Sequence, residues 1–314
     1  MSNYLPEGLL LGTADNDSCL RSAEALSECI QSQKILEARC CVCDNRHNLI
    51  IDLPCMRGII PREEGAIGIA EGTTKDIALI SRVNKPVCFV VKGFAADEYG
   101  EYALLSRREA QLMCERGLIS KFTPGDVIDA KVTHLEQFGC FVDIGCGIPS
   151  LIPIDLISVS RISHPSDRFY VGQNIKAVIK SVESNNRVCL SHKELLGTWE
   201  QNAEKFSQGE TVTGIIRSVE NYGVFVELAP NLAGLAEPRE DVYVNQFASV
   251  YIKAIIPEKM KIKLVIVDTF GGGSPLISDD VSQPDELKYF IDEPHIDRWV
   301  YSSGSAAKHI ETIF

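Results

Sequence analysis

GDVIDAKVTHLEQFGCFVDIG, from Gly125 to Gly145, and GETVTGIIRSVENYGVFVELA, from Gly209 to Ala229, repeat one pattern about eighty residues apart. Each copy begins with glycine and an acid. Each ends with an aromatic residue, glycine, one further residue, Phe-Val, an acid and an apolar residue. Self-similarity at a fixed period indicates a chain built from small repeated units rather than from one large core.

The pattern within each copy is that of short β-strands. In the second copy Val212, Gly214 and Ile216 alternate with Thr211, Thr213 and Ile215, as expected for a half-buried strand. A third apolar segment follows in each copy, and then two strands joined by a short turn. Five strands in about seventy residues, without a long helix, predict a small closed barrel with no exposed sheet edges.

A divergent first copy fits the same frame when Asp52 is aligned with Asp143. In that register His47 replaces the first aromatic residue, Asn48 the glycine and Ile50 the second aromatic residue. Asparagine tolerates a left-handed backbone better than most residues, so the barrel is expected to persist without the aromatic pair.

The ordered positions resemble the S1 RNA-binding domain, an OB-fold barrel, and the three-unit layout is similar to bacterial ribosomal protein S1 homologues. The motifs are G-[DE]-x-V, then [FY]-G-x-F-V-[DE]-[IL], and finally R-V-x-L-S-x-K-E. The resemblance covers roughly residues 36 to 270 and is weakest in the first unit.

The predicted fold is all-β with helical linkers: three tandem five-stranded OB-fold barrels of S1 type, an N-terminal helix behind Asp17 or Ser18 as N-cap, and a short C-terminal appendix. The predicted order is a helical extension (1–35), a divergent barrel (36–108), a helical linker (109–122), a barrel (123–194), a helical linker (195–207), a barrel (208–270), and a flexible linker with the appendix (271–314).

The repeated aromatic residues are the candidate RNA-binding site. A bulge at the intervening glycine would turn both rings toward one surface, where base stacking contributes about 1 to 3 kcal/mol per base without demanding a sequence. Basic residues on a neighbouring strand would hold phosphates. The candidates are Phe138, Phe141, Arg187 and Lys193 in the second unit, and Tyr222, Phe225, Lys253 and Lys261, with Lys259 and Lys263 close by, in the third.

Two departures from the family pattern concern its third-strand histidine, which falls on Pro153 in the second unit and Glu237 in the third. The carboxylate of Glu237 would repel phosphate, and His164 in a following loop is an alternative donor. In the first unit His47 and Ile50 offer little stacking surface, and the only obvious aromatic residue is Tyr102, which aligns with Arg187.

Charge limits the strength of RNA binding, because the net charge is −12. Most of the excess lies at the ends: residues 1–35 hold 5 acids and 2 bases, and residues 271–314 hold 8 and 3. The predicted barrels are near neutral, with 10 acids and 10 bases in the first, 8 and 7 in the second and 8 and 6 in the third. We expect modest, salt-sensitive affinity.

Several other classes of protein are disfavoured. No stretch reaches the roughly 18 to 20 apolar residues of a membrane span, and no basic region precedes an apolar run, so a cytoplasmic protein is expected. The eleven cysteines are expected to be reduced, and Cys40-x-x-Cys43 lacks a second pair to complete a zinc site. No nucleotide-binding loop, nucleophile motif or acidic metal cluster is present in the sequence, so neither an enzyme nor a cofactor is expected.

The sequence predicts a non-enzymatic protein that binds single-stranded RNA, above all mRNA in translation, with the ribosome or other translation or RNA-processing proteins as further partners. The second and third units would bind RNA, and their tandem placement would add avidity. The first unit and the acidic ends would contact protein. The alternative is a protein-interaction scaffold with weak or vestigial RNA binding, and a third hypothesis is RNA processing at a site that the sequence does not reveal.

Overall fold

The computed structural model describes residues 4–183, 187–271 and 287–314. The flexible linker predicted after Phe270 lies almost wholly outside these residues, as does most of the short turn expected between the last two strands of the second unit, at 183–186. The strands are β1 (Leu36–Cys43), β2 (Leu49–Asp52), β3 (Arg57–Ile60), β4 (Pro86–Asp97), β5 (Gly100–Ser106), β6 (Val127–Glu136), β7 (Gly139–Asp143), β8 (Pro149–Pro153), β9 (Asn174–Val182), β10 (Val188–Ser191), β11 (Thr211–Glu220), β12 (Gly223–Ala229), β13 (Leu232–Ala236), β14 (Phe247–Ile256), β15 (Lys261–Phe270), β16 (Arg298–Val300) and β17 (Glu311–Ile313). The α-helices are α1 (Ala14–Cys19), α2 (Ala23–Ser32), α3 (Ile77–Ile80), α4 (Arg107–Gly117) and α5 (Trp199–Ala203).

The large sheets have five strands each. The first has the order β1-β2-β3-β5-β4, the second β10-β8-β7-β6-β9 and the third β11-β12-β13-β15-β14. The end strands of the first sheet, β1 and β4, also pair, as do β11 and β14 of the third, so both sheets close into barrels. The second sheet forms a ring of the same size. A mostly β fold with closed five-stranded barrels is therefore confirmed.

Two short helices precede the first sheet. Thr13 caps α1 by accepting a hydrogen bond from the Asn16 amide, and Ser22 caps α2 through the Ala25 amide. The predicted N-cap at Asp17 or Ser18 is wrong, because both residues lie inside α1. The better cap is Ser22, whose hydroxyl satisfies an amide of the first turn where no helical carbonyl is available.

Backbone contacts divide the chain into two compact units, each with its own core. Among the described residues, one comprises 4–122 and 143–150, and the other 123–142, 151–183, 187–271 and 287–314. In the first, Leu26 of α2 and Leu79 of α3 pack with the interior of the first barrel. In the second, Trp199 of α5 packs with residues of the third barrel such as Ile216 and Val224.

Short helices separate the sheets. Ser106 caps α4, and a capping box at Thr198 starts α5, where the Thr198 hydroxyl accepts from the Gln201 amide and Gln201 accepts from the Thr198 amide. A 3-10 helix over Lys193–Leu196 precedes α5. Gly197, with φ of +83°, lies between these two helices and separates them. The apolar residues from Leu196 to Phe206 are spaced as in one helix, but the left-handed backbone at Gly197 prevents a continuous helix.

The C-terminal segment, residues 287–314, contains the two-stranded sheet of β16 and β17 and packs on the second and third sheets. The Asp126 carboxylate lies 2.7 Å from Nδ1 of His295, and the Tyr301 hydroxyl donates to the Asn231 carbonyl at 2.6 Å. The Thr312 hydroxyl donates to the buried carboxylate of Glu194. No helix among residues 4–183, 187–271 and 287–314 has the length and apolarity to cross a membrane.

Candidate nucleic-acid interface

The two predicted aromatic pairs have nearly the same geometry. Phe138 lies in the turn before β7 and is 56% exposed, while Phe141 points outward from β7 and is half-buried. Their ring centroids are 6.0 Å apart at 89°. Tyr222 is 66% exposed in the turn before β12, and its ring lies 6.2 Å from that of Phe225 at 86°. Each sheet thus presents one exposed ring edge-on to a second ring.

The glycine of each pair is required by a close backbone approach. A Cβ atom on Gly139 would lie 2.5 Å from the carbonyl oxygen of Ile152, and one on Gly223 would lie 2.5 Å from that of Ala236. The predicted bulge at the glycine is wrong for the third sheet, where the irregularity falls on β11 between Ile216 and Ser218. The rings converge because one is in the turn and the other is on the outward face of the strand.

In the third sheet a cation lies in the same cross-strand row as the second ring of the aromatic pair, where a row is a set of residues directly opposite one another on neighbouring strands. Phe225 is opposite Leu235, and Leu235 is opposite Lys263, across the antiparallel and parallel pairings of β12, β13 and β15. Two strand spacings separate Phe225 from Lys263, about 10 Å. Lys261 is two residues earlier on the same exposed face of β15. Lys261 and Lys263 therefore lie on the same outer surface as Phe225, with β13 between them.

Lys253, the other predicted cation of this sheet, has an acidic neighbour. Its Nζ lies 3.5 Å from Oε1 of Glu237, and both side chains are exposed. Because Glu237 occupies the position of the family's histidine, this ion pair reduces the repulsion that the carboxylate alone would exert on a phosphate.

The second sheet carries its basic residues elsewhere. Arg187 is exposed immediately before β10, and Lys193 is half-buried at the start of the 3-10 helix after that strand. The residue paired with Leu151 is Cys189, where the third sheet has Lys263 opposite Leu235. Burial raises the pKa of the Cys189 thiol, so this position is neutral at pH 7.

The matching row of the first sheet is aliphatic. Ile50 is opposite Ile59, and Ile59 is opposite Leu104, so neither a ring nor a cation is present in it. His47 adopts the left-handed backbone, with φ of +63°, which the sequence alignment assigned to Asn48. The Asn48 amide instead donates to the Asp44 carboxylate and fixes the turn.

Tyr102 of the first sheet belongs to a separate cluster. The guanidinium of Arg57 lies 5.5 Å from the ring centres of both Tyr99 and Tyr102. It also donates to both oxygens of Asp97, at 2.7 and 2.5 Å. The carboxylate offsets its charge, so the cluster has little net attraction for phosphate.

The alternative histidine and the cysteine pair have local structural roles. Nδ1 of His164 accepts a hydrogen bond from the Ser166 amide and caps a 3-10 helix. Cys40 is buried in β1, whereas Cys43 is only partly buried at its end. Within the described part of the chain, no three His, Cys, Asp or Glu side chains form a group that could hold a metal ion.

Part of the chain matches a known family of domains, and longer stretches match known proteins. The family model described as "S1 RNA binding domain" matches residues 121–193, which contain the second sheet. The chain is 35% identical over 156 residues to the small ribosomal subunit protein bS1 homolog of Bacillus subtilis, covering 48% of this chain and 39% of that protein. It is 31% identical over 195 residues to bS1 of Staphylococcus aureus, covering 57% and 48%.

A longer match, to bS1 of Staphylococcus haemolyticus, extends over 279 residues at 28% identity and covers 83% of this chain and 68% of that protein. The chain spans less than half the length of the Bacillus and S. aureus relatives that it matches. The repeated aromatic pairs, the closed five-stranded barrels and these matches agree: residues 121–193 match the S1 RNA-binding domain, and the chain resembles bacterial ribosomal protein bS1.

Proposed function

We propose that the chain binds single-stranded RNA through the outer faces of its second and third sheets, each an S1-type OB barrel. The observation that supports this most directly is the duplicated ring geometry, with centroid separations of 6.0 and 6.2 Å on two matching turns. An exposed ring held edge-on by a second ring offers a flat face on which a base of any sequence can stack.

The proposed binding residues fall into two groups according to chemistry. Phe138, Phe141, Tyr222 and Phe225 stack on bases, whereas Arg187, Lys193, Lys253 and Lys261 contact phosphates. In this scheme the barrel domains span residues 36–108, 123–194 and 208–270 of a three-barrel array, with helical linkers at 109–122 and 195–207. The extensions are residues 1–35 and 271–314.

The RNA is proposed to be mRNA engaged in translation, and the protein to act in the cytoplasm beside the ribosome without catalysing a reaction. The relatives named as small ribosomal subunit proteins support this context. The acidic net charge of −12 favours a weak, salt-sensitive complex over tight binding.

The experiment is an equilibrium titration of labelled single-stranded RNA at two salt concentrations, with duplex RNA as competitor. Binding that weakens as salt rises and that duplex RNA displaces poorly is the expected result. Equal competition by duplex RNA would contradict stacking on unpaired bases, because paired bases do not expose their faces. Absence of binding at low salt would contradict RNA binding altogether.

A second function, protein docking, is proposed for the first barrel alone. Its Ile50–Ile59–Leu104 row occupies the place of the aromatic rows and is half-buried and aliphatic. Aliphatic side chains offer no flat ring to a base but can pack against apolar protein groups. Ile59→Asp should leave RNA affinity unchanged, and the variant should lose a protein partner that the wild type retains in a pull-down.

A further inference from the structure

A second exposed aromatic cluster lies on the outer surface of β14 and β15, outside the two aromatic pairs. Phe247 of β14 and Phe270 of β15 are direct cross-strand partners. Their rings are stacked, with centroids 6.1 Å apart and planes 9° from parallel, and each residue is 47% exposed. Scattered exposed apolar residues are ordinary, but two rings held flat and in register form a defined surface.

The same surface continues along both strands to a cationic end. Tyr251 is 40% exposed and opposite Val265, and Lys261 and Lys263 are exposed further toward the start of β15. Lys263 and Phe270 are seven positions apart, a distance of at most about 23 Å along a strand. One face of the hairpin therefore carries ammonium groups at one end and a stacked ring pair at the other, with Tyr251 between them.

Asp268 divides this surface. It is exposed, pairs with Ser249 across the hairpin, and accepts a hydrogen bond from the Thr269 amide through Oδ1. A carboxylate next to the rings disfavours a phosphate at that rung, whereas bases are uncharged at pH 7. A nucleic-acid strand on this face would keep its phosphates near the lysines and place bases over the rings.

We propose that the outward face of Phe247, Tyr251 and Phe270, here called the β14–β15 strip, is a further base-stacking site for the single-stranded RNA bound at the third sheet. The inference rests on the proposed function, because the strip would bind the continuation of an RNA that is already bound beside Lys263 and Phe225. Lys263 links the two surfaces, because it is in the row of Phe225 and on the strand of Phe270.

RNA suits this surface better than an apolar protein segment does, for two reasons. The stacked cross-strand pair of Phe247 and Phe270 presents flat rings, and base stacking uses such faces without sequence preference. The cations that share the face, Lys261 and Lys263, complement phosphate and have no use in an apolar contact.

The test uses the full chain and oligouridylates of about four and about twelve nucleotides, within the range of site sizes of OB barrels. In the variant Phe247→Leu/Phe270→Leu the surface stays apolar and loses its flat faces. We expect the twelve-nucleotide RNA to bind this variant about fivefold or more weakly than the wild type, with little change for the four-nucleotide RNA. Val267→Ala, a change to an exposed aliphatic residue of β15, is the control and should alter neither affinity.

Asp268→Asn gives a test of opposite sign, because removing the carboxylate should strengthen binding of the longer RNA and leave the shorter one unchanged. The inference is overturned, with the proposed function intact, when Phe225→Ala weakens both lengths and the leucine variant weakens neither. It is also overturned when sedimentation shows a wild-type dimer that the leucine variant abolishes, since the strip would then join two copies. Absence of RNA binding by the wild type would contradict the proposed function itself.

Discussion

Nη2 of Arg168 donates a hydrogen bond to Oε2 of Glu227 at 2.6 Å and joins the segment between β8 and β9 of the second sheet to strand β12 of the third sheet. Nε of Arg217 donates to the same oxygen at 2.8 Å, and Arg217 also pairs with Asp167 at 3.1 Å. The side chains of Arg168 and Glu227 are only 4% and 6% exposed. One buried carboxylate thus holds two guanidinium groups and fixes the sheets that carry the aromatic pairs.

Glu227→Gln removes the charge that both guanidinium groups share. Because the buried guanidinium of Arg168 then loses the carboxylate to which it donates, while Arg217 keeps its pair with Asp167, we expect the free energy of unfolding to fall by about 3 to 5 kcal/mol, measured by chemical denaturation. Glu237→Gln is the matched control, since its pair with Lys253 is exposed and should contribute at most about 1 kcal/mol. Equal effects of the two substitutions would contradict the assigned role of burial.

Asn231→Ala removes a fully buried amide that joins three backbone segments. Its Nδ2 donates to the carbonyls of Lys193 and Gly197 at 2.8 and 2.9 Å, and its Oδ1 accepts from the Val159 amide at 2.8 Å. Leaving these groups unpaired should cost about 2 to 4 kcal/mol in thermal or chemical unfolding. Asn174→Ala, at an exposed position of β9, should change stability by no more than about 0.5 kcal/mol.

The pKa of His192 predicts that the stability of the compact unit containing the second and third sheets depends on pH. Burial, with a smaller contribution from the charge of Arg168, lowers the pKa of this imidazole to about 4 from 6.5. As the pH falls, the imidazole of the unfolded chain takes up a proton before the buried imidazole of the folded protein does. The free energy of unfolding is therefore unaffected by this group above about pH 6.5 and decreases as the pH falls toward 4. Between pH 7.5 and 4.5 the wild type should lose about 2 to 3 kcal/mol more than His192→Gln does. Parallel profiles for the two proteins would exclude this titration.

Gly223→Ala tests the close approach beneath the Tyr222 turn. The added Cβ would meet the Ala236 carbonyl oxygen at 2.5 Å, so the turn must shift, and we expect a loss of about 1 to 3 kcal/mol together with weaker RNA binding. Gly93→Ala, where a Cβ meets no heavy atom within 4 Å, serves as control and should be tolerated. Unchanged stability of Gly223→Ala would mean that the turn has room for a side chain.

The local pattern was sufficient to predict the barrels, because strand alternation and turn residues depend on neighbours in sequence. The same pattern located the aromatic residues, and the ring geometry follows from one turn and one strand. Asp17 and Ser18 were misassigned as caps because several residues near the helix start can cap, and the choice of Ser22 depends on packing of α2 on the first barrel.

Sequence alone could not identify contacts between distant segments. Lys263 enters the row of Phe225 only because β15 pairs in parallel with β13, which places Lys263 opposite Leu235, 28 positions earlier in the sequence. The pair of Arg168 and Glu227 spans 59 positions, and although Glu227 is the acidic residue of the repeated motif, no motif includes Arg168. The β14–β15 strip could not be predicted for the same reason. Phe247 is the first residue of β14 and Phe270 is the last of β15, so only the pairing of the two strands brings their rings together.

The most direct test of base stacking on the two aromatic pairs is the equilibrium affinity of Phe141→Ala/Phe225→Ala for a labelled single-stranded RNA of about twelve nucleotides, measured by fluorescence anisotropy. We predict that the double variant binds at least about tenfold more weakly than the wild type at low salt, while Tyr99→Ala, which removes an exposed ring of the first sheet, binds normally. Equal affinities of the double variant and the wild type would contradict stacking on these rings.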